Sequence, residues 1–161
     1  MREAIFGLRH LASPGPEFLP ALEEYLNEYR TYYGLQVQLV HPDGCRPYFS
    51  DQVTAQLTRI IQEALTNIRK HALTNQARIQ IEQIDHQWRV TVEDDGQGFD
   101  PHRIPKSAQQ FLGLQIMRER AASIGAELEV NSRPGGGTSV ILRLPLASEN
   151  PNGRTFTHLT G

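Results

Sequence analysis

One amphipathic stretch constrains this chain more than any other. Residues 60–72, with Leu57 just before them, carry apolar side chains at helical spacing, which predicts a long helix that packs on a sheet. The apolar stripe consists of Leu57, Ile60, Ile61, Ala64, Leu65, Ile68 and Ala72. A second stripe beside it consists of Glu63, Asn67, Lys70 and His71. These polar groups at the edge of a core are suited to a metal–phosphate group, and the alternative is an ordinary surface face.

Composition is typical of one soluble domain. The chain has 161 residues, of which 39% are hydrophobic and 21% charged, so bulk disorder is not indicated. The net charge of −2 argues against a nucleic-acid partner, since such proteins depend on a positive surface potential. We therefore expect no nucleic-acid binding.

Cysteine usage and hydropathy indicate the compartment. The single cysteine, Cys45, excludes an intramolecular disulfide and a cysteine-based metal cluster. No apolar run approaches the ~20 residues of a membrane span, and the N-terminus has no signal pattern. We expect a cytoplasmic chain without membrane contact of its own, either as a whole protein or as the cytoplasmic piece of a longer membrane protein.

The order of helical and alternating patterns predicts an α+β fold. Helices are predicted at 17–33, at 51–72 (capped by Ser50 or Asp51) and at 114–124, and strands at 35–40, 77–83, 88–92, 127–131 and 138–145. Because helices alternate with mainly antiparallel strand pairs, we expect a two-layer α/β sandwich with a mixed, mainly antiparallel sheet.

The ends of the chain differ from its centre. Residues 1–16 are predicted to be a short helical remnant of a preceding segment, closed by the breaker Ser13–Pro16. Residues 17–146 are predicted to be the folded domain. Residues 147–161, rich in small and polar residues, are predicted to be a flexible tail.

Three glycine motifs lie where elements begin or end. Asp94-x-Gly-x-Gly98 follows a strand, and glycines there let the backbone turn tightly beside a flat ligand. Gly113-Leu114 is predicted to precede a helix, whose free N–H groups suit a phosphate, and Gly135–Thr138 opens the last strand. Each motif has a structural alternative, an ordinary turn or loop glycine.

The segment between two of these motifs is unusually long. Residues 101–113 lack a period, contain several breakers and carry Arg103 and Lys106. An irregular segment of this length is more typical of a lid over a ligand than of a connector.

Taken in order, the polar helix stripe, the Asp94–Gly98 motif, the lid and the Gly135–Thr138 turn resemble the Bergerat ATP-binding fold. Histidine kinases, gyrase-type ATPases, Hsp90-like chaperones and mismatch-repair ATPases share that fold. More narrowly, residues 63–72 (EALTNIRKHA) and 113–121 (GLQIMRERA) look like the nitrate/nitrite-sensor class of bacterial sensor histidine kinases. The resemblance covers roughly residues 17–146.

For the phosphate end of the site, the resemblance implies ATP and Mg²⁺ as cofactors. Asn67 would coordinate the Mg²⁺ that bridges the phosphates. Glu63, the catalytic residue, would hold a metal-bound water or assist proton transfer. Lys70 and His71 would reach the phosphates.

For the rest of the site, the resemblance implies contacts with adenine and with the lid's end. Asp94 would accept a hydrogen bond from the adenine amine, and Gly96 and Gly98 would make room for the base. Backbone donors for the phosphates would come from Gly113 and Leu114. Thr138 would fix the adenine side.

The resemblance also implies partners. The six histidines (His10, His41, His71, His86, His102 and His158) lack the context of the phosphorylated histidine in these kinases. We therefore expect transfer of the ATP γ-phosphate to a histidine on an upstream dimerisation domain, for relay to a response regulator. Residues 1–16 would then be the remnant of the dimerisation helix and a linker. The alternatives are a stand-alone ATPase or anti-sigma-type serine kinase of the same fold, or a degenerate domain that only binds a partner.

Overall fold

The computed structural model of the protein describes residues 18–103 and 108–146, which form three helices and five strands. In chain order they are α1 (Phe18–Tyr33), β1 (Gln36–Val40), α2 (Asp51–His71), β2 (Gln76–Ile84), β3 (Gln87–Asp94), α3 (Ala108–Ser123), β4 (Glu127–Ser132) and β5 (Thr138–Pro145). The predicted remnant 1–16 and tail 147–161 lie outside the described residues, so both stay predictions.

The five strands form one mixed sheet in the order β1-β2-β3-β5-β4. β1 is parallel to β2, and the other three pairs are antiparallel. Buried side chains alternate along β2 and β5 and form one core with the helices. The ion pair between Arg143 and Glu129, at 2.9 Å, joins polar residues of β5 and β4. The predicted α+β class with a mainly antiparallel sheet is confirmed.

Local chemistry fixes the ends of α2. Ser50 is the N-cap, because its hydroxyl accepts a hydrogen bond from the Val53 N–H at 3.2 Å. At the other end, the Ala72 N–H donates to the Ile68 carbonyl at 3.1 Å. Every residue of the predicted apolar stripe is buried, with at most 5% of its surface exposed. The predicted helix and its buried face are therefore confirmed.

The predicted start of the third helix is wrong. We placed it at Leu114, but α3 already begins at Ala108, so Gly113 lies inside the helix and not before it. The irregular segment is correspondingly shorter than residues 101–113, and its residues 104–107 lie outside the described part of the chain. The intervening glutamines and leucine are ordinary helix formers, and Gly113 is accommodated because α3 packs closely on α2 at that point.

No helix within residues 18–103 and 108–146 has the length and apolar character that a membrane span requires.

Candidate functional site

A cleft of about 430 Å³ lies where α2, the end of β3 and the start of α3 meet. Its walls are formed by Ala64, Asn67, Ile68, His71, Ala72, Val92, Asp94, Gly98, Phe99, Gln110, Leu114, Thr138 and Val140. Six of the predicted site residues are therefore brought together: Asn67, His71, Asp94, Gly98, Leu114 and Thr138. The other four, Glu63, Lys70, Gly96 and Gly113, are not part of this wall.

Asp94 is the acidic group of the cleft. It is half-buried at the end of β3, and its Oδ1 accepts a hydrogen bond from the Gly96 N–H at 2.8 Å. Burial raises the pKa of this carboxyl above its ordinary value, and the nearby charge of Asp95 adds to the rise. Hydrogen bonds from the backbone N–H groups of Gly96 and Thr138 oppose it. The result is a partly desolvated acceptor whose position is set by backbone donors.

The loop after Asp94 is fastened to the end of α2. A Cβ atom at Gly96 would lie 2.1 Å from the Ala72 carbonyl oxygen, so only glycine fits there. The Gln97 N–H donates to that same carbonyl at 2.7 Å, and the Gln97 side-chain amide donates to the His71 carbonyl. The helix that carries Asn67 and the loop that carries Asp94 are thus joined by two hydrogen bonds from Gln97 and by the close approach of Gly96 to Ala72.

The turn between β4 and β5 closes on the same loop. Gly98 has φ +61°, and a Cβ there would lie 2.1 Å from the Arg133 carbonyl oxygen. A Cβ at Gly137 would lie equally close, at 2.1 Å, to the Asp94 carbonyl oxygen. The Gly135 N–H donates to the Gln97 carbonyl at 2.7 Å. Gly98 is therefore required for backbone packing, and its expected role beside a base stays a prediction, as does that of Gly96.

Ser132 and Gln97 hold this end of the cleft together and were missed from the sequence. The Ser132 hydroxyl accepts a hydrogen bond from the Phe99 N–H at 2.9 Å and donates to the Gly137 carbonyl at 3.0 Å. It also lies 2.8 Å from the Thr138 hydroxyl. Ser132 opposes Thr138 in the β4–β5 pair, so its place in the site could be predicted only from the correct register of these two strands.

Glu63 lies at the other end of the site, against α3. It is half-buried, and its Oε1 would be 2.2 Å from a Cβ atom at Gly113. Burial raises the pKa of the Glu63 carboxyl, whereas the positive charges of Lys70 and then Arg120 oppose the rise. A desolvated carboxylate with flanking cations is a suitable proton acceptor near charged substrate groups.

The two basic residues at the end of α2 differ in their environment. His71 is partly buried in the wall of the cleft, and burial, followed by the charge of Lys70, lowers its pKa. Both effects favour the neutral imidazole, which offers a hydrogen bond without a full charge. Lys70 is exposed, so its ammonium can approach a ligand only from the solvent side.

The remaining walls are mostly apolar. Ile68, Val92 and Val140 belong to the hydrophobic core, and Phe99 directly follows the glycine motif. Gln110 was missed because it precedes the predicted start of the third helix. A narrow cleft with apolar walls and one acidic hydrogen-bond acceptor suits a flat heteroaromatic ring with an exocyclic amine.

No group of three or more His, Cys, Asp or Glu side chains arranged to hold a metal ion occurs among the residues that the structure describes. A metal ion bound here would need oxygen ligands from elsewhere, such as phosphates and water.

Residues 52–148 match the family model described as histidine kinase-, DNA gyrase B-, and HSP90-like ATPase. The chain is 32% identical over 149 residues to the signal transduction histidine-protein kinase/phosphatase DegS of Brevibacillus brevis, covering 92% of this chain and 38% of that protein. It is 34% identical over 145 residues to the nitrate/nitrite sensor protein NarX of Escherichia coli K12, covering 88% and 23%, respectively.

Sensor histidine kinase LiaS of Bacillus subtilis is 31% identical over 149 residues, covering 92% of this chain and 40% of that protein. The chain thus spans less than half the length of these three relatives. Among solved structures, the histidine kinase domain of the Erythrobacter litoralis EL346 blue-light activated histidine kinase is similar, with a TM-score of 0.67 and 23% identity. That match covers 92% of this chain and 75% of the other, and it supports the fold.

Proposed function

The chain belongs to the histidine kinase-, DNA gyrase B-, and HSP90-like ATPase family and is homologous to sensor histidine kinases, and we propose that it is the catalytic domain of a two-component sensor. In this proposal the domain binds Mg·ATP and transfers the γ-phosphate to a histidine on an upstream dimerisation domain. A response regulator then receives the phosphate. The observation that carries the proposal is the half-buried Asp94 carboxylate in an apolar cleft that Asn67 and Thr138 also line.

Asp94 recognises the adenine ring. Its carboxylate accepts a hydrogen bond from the exocyclic amine, which adenine has at this position and guanine lacks. Thr138, whose Cα pairs with that of Asp94 across β3 and β5, binds the same edge of the base. The apolar side chains of Ile68, Val92 and Val140 cover the faces and rim of the ring, so binding also removes apolar surface from water.

Asn67 and Glu63 serve the phosphate end. They are one helical turn apart on α2, so a carboxamide oxygen and a carboxylate lie along the same face. This donor set fits Mg²⁺, which takes few protein ligands and completes its shell with phosphates and water. A bound Mg²⁺ would neutralise part of the negative charge that develops on the phosphates during transfer.

The other residues orient the phosphates and handle protons. Glu63 accepts or relays a proton, for which its burial-raised pKa suits it. His71 donates a neutral hydrogen bond from the cleft wall, and Lys70 adds its charge from the exposed side. Gly113 and Leu114 meet the phosphates from α3. Since both lie inside α3, their backbone N–H groups become free donors only if the first turns of α3 unwind.

We further propose a cytoplasmic location, because ATP and response regulators are found in that compartment. The sequence and fold supply no observation that favours a stand-alone ATPase, a serine kinase or a degenerate binding domain.

Calorimetric titration with ATP and GTP, with and without Mg²⁺, tests the nucleotide site. We expect micromolar-to-millimolar binding that prefers ATP. Asp94→Asn should weaken ATP about ten-fold or more, the effect of losing a hydrogen bond to a charged group. Asp95→Asn is the matched control, since the exposed Asp95 bonds to Thr74 and not to the cleft. Equal effects of the two variants would contradict the adenine role of Asp94.

Phosphorylation of a full-length kinase that contains this domain tests the metal and transfer roles. Asn67→Ala should abolish the Mg²⁺-dependent labelling of histidine by γ-labelled ATP while the thermal unfolding temperature stays nearly unchanged. Asn75→Ala, at an exposed position after α2, is the control. Full labelling in the Asn67 variant would show that Asn67 is not a metal ligand.

A further inference from the structure

α2 and α3 meet along a seam that contains two matched contacts. Gly113 and Arg120 are seven residues apart on α3, and Gln56 and Glu63 are seven residues apart on α2, so each pair lies on one helical face about two turns apart. Gly113 faces Glu63 closely, because a Cβ atom added at Gly113 would lie 2.2 Å from Oε1 of Glu63. Arg120 donates from Nη1 to Oε1 of Gln56 at 3.0 Å. The numbering runs in opposite directions, so the helices are antiparallel along this seam.

Apolar packing lies between the two contacts. Met117 on α3 has 0% of its surface exposed, and Ile60 on α2 has 2%. Apolar contacts hold the helices together but are not directional. A hydrogen bond requires a specific distance and angle. The Arg120–Gln56 bond is therefore a directional contact of this seam that constrains how far α3 lies along α2.

We propose that Arg120 is a positioning residue which, through Gln56, sets the register of α3 on α2 and thereby holds Gly113 against the Glu63 carboxylate. This inference rests on the proposed function, which puts Gly113 and Glu63 at the phosphate end of the nucleotide site. The positive charge of Arg120 also reaches Glu63, because it opposes the burial-induced rise of the pKa of that carboxyl.

The two ends of the site depend on this register to different degrees. Asp94 and Thr138 belong to β3 and β5, so a shift of α3 leaves their relative position unchanged. Gly113 and Leu114 belong to α3 and move with it. A broken Arg120–Gln56 bond should therefore weaken interactions with the γ-phosphate more than those with adenine. The affinity for ATP should fall, whereas the affinity for ADP should change little.

The test compares Arg120→Met, Gln56→Met and the exchange variant Gln56→Arg/Arg120→Gln. Calorimetry with Mg·ATP and Mg·ADP gives both affinities for each protein, and thermal unfolding reports stability. Each single variant should weaken ATP about five-fold, the net effect of one hydrogen bond, and ADP less than about two-fold. The exchange variant should recover ATP affinity, since donor and acceptor merely change helices. Arg118→Met, at an exposed site on the same helix, should leave both affinities unchanged.

Three outcomes would overturn the inference while the wild type still binds ATP. These are unchanged ATP affinity in both single variants, an equal loss for ATP and ADP, or failure of the exchange variant to recover. Loss of adenine-nucleotide binding by the wild type itself would instead overturn the proposed function. Should Arg120→Met fail to fold, Gln56→Met alone decides, because it removes the same bond and leaves the arginine in place.

Discussion

The two ends of the proposed nucleotide site are built by different means. At the adenine end, the backbone of residues 95–98 is packed between the end of α2 and the turn at 133–137, at distances that exclude even a methyl group. At the phosphate end, the close contact joins the Gly113 backbone to the tip of the Glu63 side chain. A side-chain tip can rotate away from an intruding atom, whereas a hydrogen-bonded backbone cannot. The adenine end should therefore be rigid and the phosphate end adjustable.

Alanine at Gly98 should have the largest effect, because it acts on the rigid end. The new Cβ would lie 2.1 Å from the Arg133 carbonyl oxygen, at a residue with φ +61°. Overpacking and the left-handed backbone together should lower the free energy of unfolding by about 3 kcal/mol or more. Urea unfolding of both proteins measures the difference.

Gly44→Ala is the matched control for that substitution. Gly44 has φ +75° but no atom within 4 Å of its Cβ position, so only the backbone cost of about 1 kcal/mol applies. If both substitutions cost the same, close packing at Gly98 contributes nothing to stability, and the contrast between the two ends of the site fails.

Removal of the Ser132 hydroxyl should have a smaller effect at the same end. Ser132→Ala leaves the Phe99 N–H and the Gly137 carbonyl without their partner, which should cost about 1–2 kcal/mol of stability. Ser139→Ala, one residue after Thr138 on the polar side of β5, is the control and should cost less than about 0.5 kcal/mol. Equal urea midpoints for Ser132→Ala and the wild type would show that solvent replaces these bonds.

The sequence predicted the rigid end better than the adjustable end. The glycines around Asp94, the alternation of β3 and β5 and the turn at 133–137 are local signals, and the structure places these elements together. The start of α3 was missed for two reasons. The exposed Phe111 and Leu112 blur the helical period, and Gly113 resembles a helix boundary when its neighbour Glu63, fifty residues earlier, is not considered. Contacts between distant helices leave no such local pattern.

Gly113→Ala tests the adjustable end and should barely change stability. The atoms nearest to the new methyl group would be Oε1, Cδ and Cγ of Glu63, at 2.2, 3.1 and 3.5 Å, and this side chain can rotate. Alanine also favours a helix interior by up to about 1 kcal/mol over glycine. We expect a net change within about 1 kcal/mol, measured by urea unfolding. Because Glu63 must move, ATP affinity should fall although the fold persists. A loss as large as that of Gly98→Ala would mean that Glu63 is as fixed as backbone.

The smallest effect should be the dependence of stability on pH through Asp94. Its pKa is raised in the folded protein, so between the ordinary and the raised pKa the folded state binds more protons than the unfolded state. Stability contributed by Asp94 should therefore decrease as pH rises through that window. ATP binding should change in the opposite direction, because only the ionised carboxylate is the acceptor required for the adenine amine.

The comparison of wild type with Asp94→Asn isolates both slopes, since the other carboxylates contribute equally to the two proteins. Unfolding curves and ATP titrations across the acid range give the difference between wild type and variant in stability and in ATP affinity. As pH rises, the difference in stability should fall, whereas the difference in ATP affinity should rise. If stability and ATP affinity both rose with pH, the charge of Asp94 would stabilise the protein without ligand and would not serve the ligand alone. The rigid end would then be a structural element first, and the preference for adenine would have to come from its backbone and apolar walls.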